Sequence, residues 1–579
     1  MKAVSLIFAG VPLFAQQASF DFGYRFVETR GNQDAYRSTV NLGEGPKLFG
    51  LNLEYKDLQF QMNNWGGDPY NTMRLDAHRE KLYRLTWQYR NLAYFNHLPS
   101  YGLGREFNDL RRRWSDLKLE LRRGSRLVPY FGWTHDKGSG RGLSSFVVDS
   151  NEYSVSGTLK DRTDLFRGGL RLETSKWHWA LEQGGSTFKQ DDMQFNIEPN
   201  RGNRSGPFLG EQLLLTDLKA AYDFNGNTIY SKAVVTGNPY SWLDVSGQFL
   251  YSQPRVDGRY DLAARGRFVI LDTLTFQNSL VATTPVEAKQ PHTSGSMTAE
   301  IAPASRVRIV ESWFTDRFHD AARLEVNYSQ VQSDAFFDVT GKLTLRGGHR
   351  YAWGDAGIRA PTLPGPASGE LRRHVGLGGI NYRLSQKLLL NADYEASAGD
   401  RSYLRTSLHD YRKARTRATF RPRASLSVTA SAQFLENRNP LREGGYEFSS
   451  RSSTLAFAWT PAAAKRFGIN GSYTRAAIRS EVPYLIPQDR VFARSLYREN
   501  AHLLNAFFDC NWHGVRLSAG GAAYLSAGSR PTEFYQPVVR LLAPIRKHLA
   551  WKGEWRWNAL AGPEAFGAHL VSIGLVVSR

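Results

Sequence analysis

The residues able to do covalent, redox or metal chemistry are few and badly placed for it. Thirteen His residues are scattered with no close pair, so local spacing yields neither a His-x-x-x-His zinc site nor a His-plus-carboxylate triad. The single Cys510 excludes an intramolecular disulfide, a Cys-based zinc cluster and c-type haem attached to this chain. Asp191 and Asp192, with Glu198 nearby, fall in an expected long loop and could hold Ca²⁺, but the spacing is not that of an EF-hand and reads as a solvated acidic loop. No Gly-rich phosphate loop leads into a helix, and no nucleophile–base–acid set is readable. The sequence therefore predicts no enzyme and no bound cofactor or metal.

Basic residues carry more information. Lys and Arg number 74 against 54 Asp and Glu, a formal charge of +20. In the run Arg412–Arg423 (RKARTRATFRPR), a strand puts Arg415, Arg417 and Arg421 on one face and Ala414, Ala418 and Phe420 on the other. The same test puts Arg84, Arg90, Arg516, Lys552 and Arg556 on polar faces. Such stripes either hydrate a channel and pair with carboxylates such as Glu554, Asp509 and Asp393, or attract an acidic solute or protein surface.

The elements that would position them are strands. The 14 Trp, 27 Tyr, 33 Phe and 52 Gly form a β-rich inventory. Period-2 alternation runs through the chain: Tyr83, Leu85, Trp87 and Tyr89 against Arg84, Thr86, Gln88 and Arg90, or Leu549, Trp551, Gly553, Trp555 and Trp557 against Ala550, Lys552, Glu554 and Arg556. Many segments are nine to eleven residues long, enough to cross a bilayer at a tilt of about 45°, and aromatics crowd their ends.

Short connections alternate with long ones, which is the pattern of an outer-membrane barrel with short periplasmic turns and long extracellular loops. Expected tight turns are Gly43–Pro46, Gly124–Arg126, Asn225–Asn227, Pro303-Ala304, Ser385-Gln386, Pro422-Arg423 and Asn511–Gly514; expected long loops lie near 64–80, 187–216, 281–293, 346–373, 397–410, 435–446 and 476–502. Lys2 and the apolar run Ala3–Ala15 read as a signal peptide cut after Ala15, leaving 16–579 as one barrel domain. At about 22 residues per strand with its share of connections, that length gives about 26 strands, with segment counting extending the range to about 30. The expected fold is all-β: a large transmembrane antiparallel β-barrel in the bacterial outer membrane. Alternation begins at Phe20, Phe22, Tyr24 and Phe26, which leaves no room for a plug domain ahead of the barrel and argues against a TonB-dependent transporter. The last strand ends in Arg579, where outer-membrane barrels commonly end in an aromatic.

With an export signal leading straight into a very large barrel, and with the tracts Tyr36–Gly45 (YRSTVNLGEG) and Tyr89–Phe95 (YRNLAYF), the chain resembles the MtrB/PioB family, the porin component of porin–cytochrome conduits, over roughly residues 19–579. The Cys-x-x-Cys that some members carry near the mature N-terminus is absent, so no role of that pair is carried over. The resemblance implies a sheath around a periplasmic multihaem, decahaem-type c-type cytochrome, with an extracellular cytochrome as a further partner. Haem would belong to the cytochrome alone. The barrel would exclude lipid, fix the cytochrome's depth and offer basic side chains to its acidic groups; nucleic acid is not an expected partner. The reading from another class is a general or anion-selective diffusion porin whose basic lumen steers anions.

Overall fold

A computed structural model of the chain describes residues 17–98, 106–149, 151–204, 206–320, 324–358, 367–401, 407–440, 445–461, 466–486 and 491–579. The expected signal peptide and its cleavage site lie outside the described residues. Alternation produces one continuous antiparallel sheet, and its first strand, β1 (Gln17–Gly31), pairs with its last, β27 (Phe566–Ser578), so the sheet closes on itself.

The sheet has 27 strand segments but fewer positions in the wall. Residues 255–270 of β11 (Leu243–Ile270) pair with β12 (Thr275–Lys289), and residues 243–252 of the same strand pair with β13 (His292–Ala304). β12 and β13 are thus two collinear pieces of one strand, interrupted at Gln290-Pro291, and the 27 segments make a 26-strand barrel.

Closure satisfies the ladder groups without an edge in the wall, which is what hydrocarbon demands of a β structure. The outward face supplies the matching surface. On β1 it runs Phe20, Phe22, Tyr24 and Phe26 before reaching the ion pair Glu28–Arg30. On β7 (Leu127–Val148) and β8 (Asn151–Glu173), exposed Phe131 and Phe166 give way to His135, Asp164 and Arg162. Four outward apolar positions followed by charge make a band about 20–25 Å tall. Glu311 is an exception: it is outward between Ile309 and Trp313, with Ser333 Oγ donating to it at 2.6 Å. The chain is an outer-membrane β-barrel.

Tight bends such as His513-Gly514 and Lys547-His548 lie at the same end as Gln17, where β1 begins, and Arg579, which in this class is the periplasmic end. Several connections differ from the sequence-based expectation. Asn225–Asn227 is no turn but the middle of β10 (Leu214–Tyr240), laddered on both sides. Gly43–Pro46 lies at the opposite end, leading into β2 (Gly45–Tyr55). Most of 64–80 and 281–293 is strand, in β4 (Tyr70–Arg79) and in β12 and β13. Asp191 and Asp192 sit within β9 (Trp177–Asn196) and point to opposite faces rather than into a loop; no cluster of metal-ligating side chains occurs among the described residues.

The differences at Asp191-Asp192, Asn225–Asn227 and 281–293 share a cause. β7 to β11 run 20–28 residues, far beyond the length that crosses a bilayer, because they continue laddered above it. Their upper inner faces curl together over Phe146, Val148, Tyr153, Val155, Leu215, Leu218, Ala220, Ala264 and Phe268. Each large side chain buried there contributes about 1.5–3 kcal/mol, which lets polar, turn-rich sequence remain strand.

At the same rim, β2, β3 (Leu58–Trp65) and β4 are shorter than their neighbours, and a helix, α1 (Gln33–Thr39), bridges the notch. Asn32 caps it, accepting from the Asp34 and Ala35 N–H groups, and Ala35 and Tyr36 pack on Phe566, Ala568 and Leu570. On its other side Arg37 lies 3.8 Å from the Phe95 ring centroid and pairs with Asp109 at 2.9 Å.

Candidate functional site: the lumenal wall

Side chains that alternate with the lipid-facing band point into the barrel. With strands about 4.8 Å apart and tilted about 40°, 26 of them enclose a lumen roughly 50 Å across between backbones, too wide for wall side chains to fill. The wall itself is an ordered array of charge.

Carboxylates act as its nodes. Asp76 holds Arg84 at 2.6 Å and Arg74 at 3.5 Å. Glu120 holds Lys118 and Arg171, and Asp116 holds Arg167 at 2.6 Å while Thr134 donates to it. Glu182 accepts from the Tyr130 and Tyr230 hydroxyls. Farther round, Arg346 bridges Asp334 and Asp393, and Glu395 gathers Arg350, Lys413 and the Tyr411 hydroxyl. Glu554 pairs with Arg540 and Arg556, both at 2.9 Å. Near the notch, buried Asp68 takes both Arg25 at 2.5 Å and Lys47 at 3.0 Å.

The basic residues singled out from the sequence divide into two groups in this array. Arg84, Lys552 and Arg556 are anchored to Asp76, Asp21 and Glu554. Arg90 lies over the Trp114 ring, 4.8 Å from its centroid. Arg415 faces Asp393 and Gln433 across the ladders, and Arg417 faces Asn391 and Ser431; both are exposed to the lumen and form no ion pair with any described residue. Arg421 sits at a bulge beside the periplasmic turn, its N–H donated to the Lys387 carbonyl, beyond the last regular pair of that ladder. Arg516 is exposed and unpaired among the described residues, in a wall groove of about 700 Å³ shared with Lys552, Glu554, Asp509 and Asp21.

Of the carboxylates expected as neutralising partners, Glu554 and Asp393 hold arginines, whereas Asp509 accepts from Asn470. The other nodes escaped sequence reasoning, although a signal was present: opposite charges two residues apart on one strand, as in Arg74/Asp76 and Lys118/Glu120. A glycine pair also went unread. Gly23 and Gly574 face each other across the closing ladder, and Lys552 opposes Gly574 from the other side. A Cβ on Gly574 would fall 2.3 Å from the Phe22 carbonyl oxygen. The bare trough lets the Lys552 side chain cross the seam to Asp21 and to the Phe49 ring, 4.5 Å from its centroid.

No family model matches this chain, and no curated protein does. Among solved structures it is similar to the copper transporter OprC (8% identity, TM-score 0.49, covering 98% of this chain and 81% of that one). It is also similar to the outer membrane transporter YddB from Escherichia coli (9%, 0.47, 97% and 80%) and to the ferric-catecholate import receptor Fiu from E. coli K12 (11%, 0.44, 97% and 81%). Likeness at this level leaves the function of this chain to be argued from its own wall.

Proposed function

We propose that this barrel is a sheath that houses a multihaem c-type cytochrome and so lets electrons cross the outer membrane. The observation that carries the reading is a closed 26-strand wall whose lumen is far wider than its side chains can fill and whose inner face keeps unneutralised arginines at Arg415, Arg417 and Arg516. Carboxylate nodes hold the rest of the wall in fixed geometry, and the unpaired cations are left to meet an acidic guest. The chain's own part is physical: to exclude lipid, fix depth and attract haem propionates and surface carboxylates, with the haem carried by the partner.

The same free arginines also suit an anion-selective diffusion porin, and substitution separates the two. Replacing Arg415, Arg417 and Arg421 by Gln keeps the strand polar on its inner face, so folding should survive. Three partly screened charges amount to roughly 1–3 kcal/mol, so the sheath reading expects about tenfold less haem-staining partner co-purified with the variant, with the gap narrowing at high salt. The porin reading instead expects unchanged partner content and a lowered anion preference in reconstituted channels.

A further inference from the structure

Among the described residues, β12 has a neighbour on one side only. It ladders to β11 over residues 275–289, while β14 (Val307–Asp320) pairs with β13 and not with β12. Above the bilayer the curled sheet therefore ends in a free β edge, the kind that natural proteins usually cover or interrupt. The protein guards part of this edge. Pro285 sits in the ladder opposite Arg259 without a register shift, so its missing N–H lies on the open side and that stretch cannot accept a strand. The upper stretch, 276–284, carries no such block.

The two faces of that stretch differ. Leu280 lies on the inner face and packs, partly buried, against the apolar core formed by Phe146, Tyr153 and Phe268 with their neighbours. Val281, on the outer face, is 81% exposed. A strand added here would continue the core on one side and meet Gln277, Ser279 and Thr283 on the other. It would need apolar residues at alternate positions and small polar ones between them. A second copy of this chain cannot supply it. Barrels inserted the same way round are related by rotation about the membrane normal, which reverses the tilt of a strand inclined at about 40° and crosses the two edges instead of aligning them.

We infer that residues 276–284 of β12 are a docking edge for an extended segment of a different chain at the cell surface, one with alternating apolar and polar residues, bound by strand addition. The inference goes beyond the sheath reading and does not depend on what fills the lumen. Amide hydrogen exchange tests it in three preparations: outer membranes from cells making the native neighbours, the purified barrel in lipid with lipopolysaccharide, and native membranes carrying Val281→Pro. Slowing of 276–284 by tenfold or more in native membranes relative to the purified barrel is expected, with the doubly paired β13 unchanged as internal reference. The slowing should vanish in the Val281→Pro membranes, where β13 also reports whether the barrel has folded; if the variant does not assemble, Val281→Lys, which keeps the N–H but charges the outer face, should still halve the slowing. Equal exchange in native membranes and purified barrel overturns the inference. So does protection already present with lipopolysaccharide alone, or protection that survives the substitutions.

Discussion

At the scale of single residues, the face of a strand decides whether a side chain meets lipid or lumen. Cys510 illustrates this: alternation puts it on the lipid side with Phe508 and Trp512, and the ladders place it opposite Phe467 and Leu517 on the same outward face. Acyl chains covering the thiol keep a charged, water-soluble reagent from reaching it. In intact membranes a membrane-impermeant maleimide should label Cys510 at less than about a tenth of the rate seen after unfolding, whereas a lipid-soluble maleimide should react readily; rapid labelling by the impermeant reagent would put the residue in the lumen. Partners that come from distant strands were not legible. His349 and His374, 25 residues apart and only 3.2 Å between ring nitrogens, look isolated in the sequence because only strand register brings them together. Asp191-Asp192 misled in the opposite way, since a polar pair inside a strand that rises above the membrane has the composition of a loop.

At the scale of elements, the number of strands was legible because length divided by a membrane crossing holds on average, and their ends were not because five neighbouring strands overrun the membrane. Turn-like Asn225–Asn227 is held extended by ladders on both sides, a tertiary gain that outweighs local preference. The one helix among the described residues, α1, is too short to stand on its own amphipathic pattern and depends on Asn32 and on Tyr36. Tyr36 is buried against Phe566 and donates its hydroxyl to the Leu42 carbonyl at 2.6 Å. Tyr36→Phe should weaken docking by about 1 kcal/mol and Tyr36→Ala by about 3 kcal/mol, read as faster proteolysis of residues 32–44 with the rest of the barrel resistant. Burial, partly offset by Arg25, pushes the Tyr36 phenol up from 10.0 to about 12. Because the docked state resists ionisation, the contribution is fully present below about pH 10 and is lost as pH rises toward 12. Protease sensitivity of wild-type α1 should climb across that window while Tyr36→Phe stays flat; equal alkaline sensitivity in both would mean that the phenol is not the titrating group.

At the scale of the whole molecule, a closed wall, an apolar belt and a lumen lined with charge are all consequences of one alternation sustained over more than 500 residues. The belt places the chain in the outer membrane, the ladder between β1 and β27 removes the edges that would aggregate there, and the carboxylate nodes keep a highly basic wall ordered. What the wall surrounds decides its function. The most direct measurement is the haem content of the wild-type barrel, purified from cells that also make its native neighbours, together with its conductance when reconstituted alone. A sheath should carry a c-type cytochrome in fixed proportion to barrel, resistant to washing at moderate salt and visible by its Soret absorbance and by haem staining. A barrel that brings down no haem yet forms open, anion-preferring channels would contradict the account.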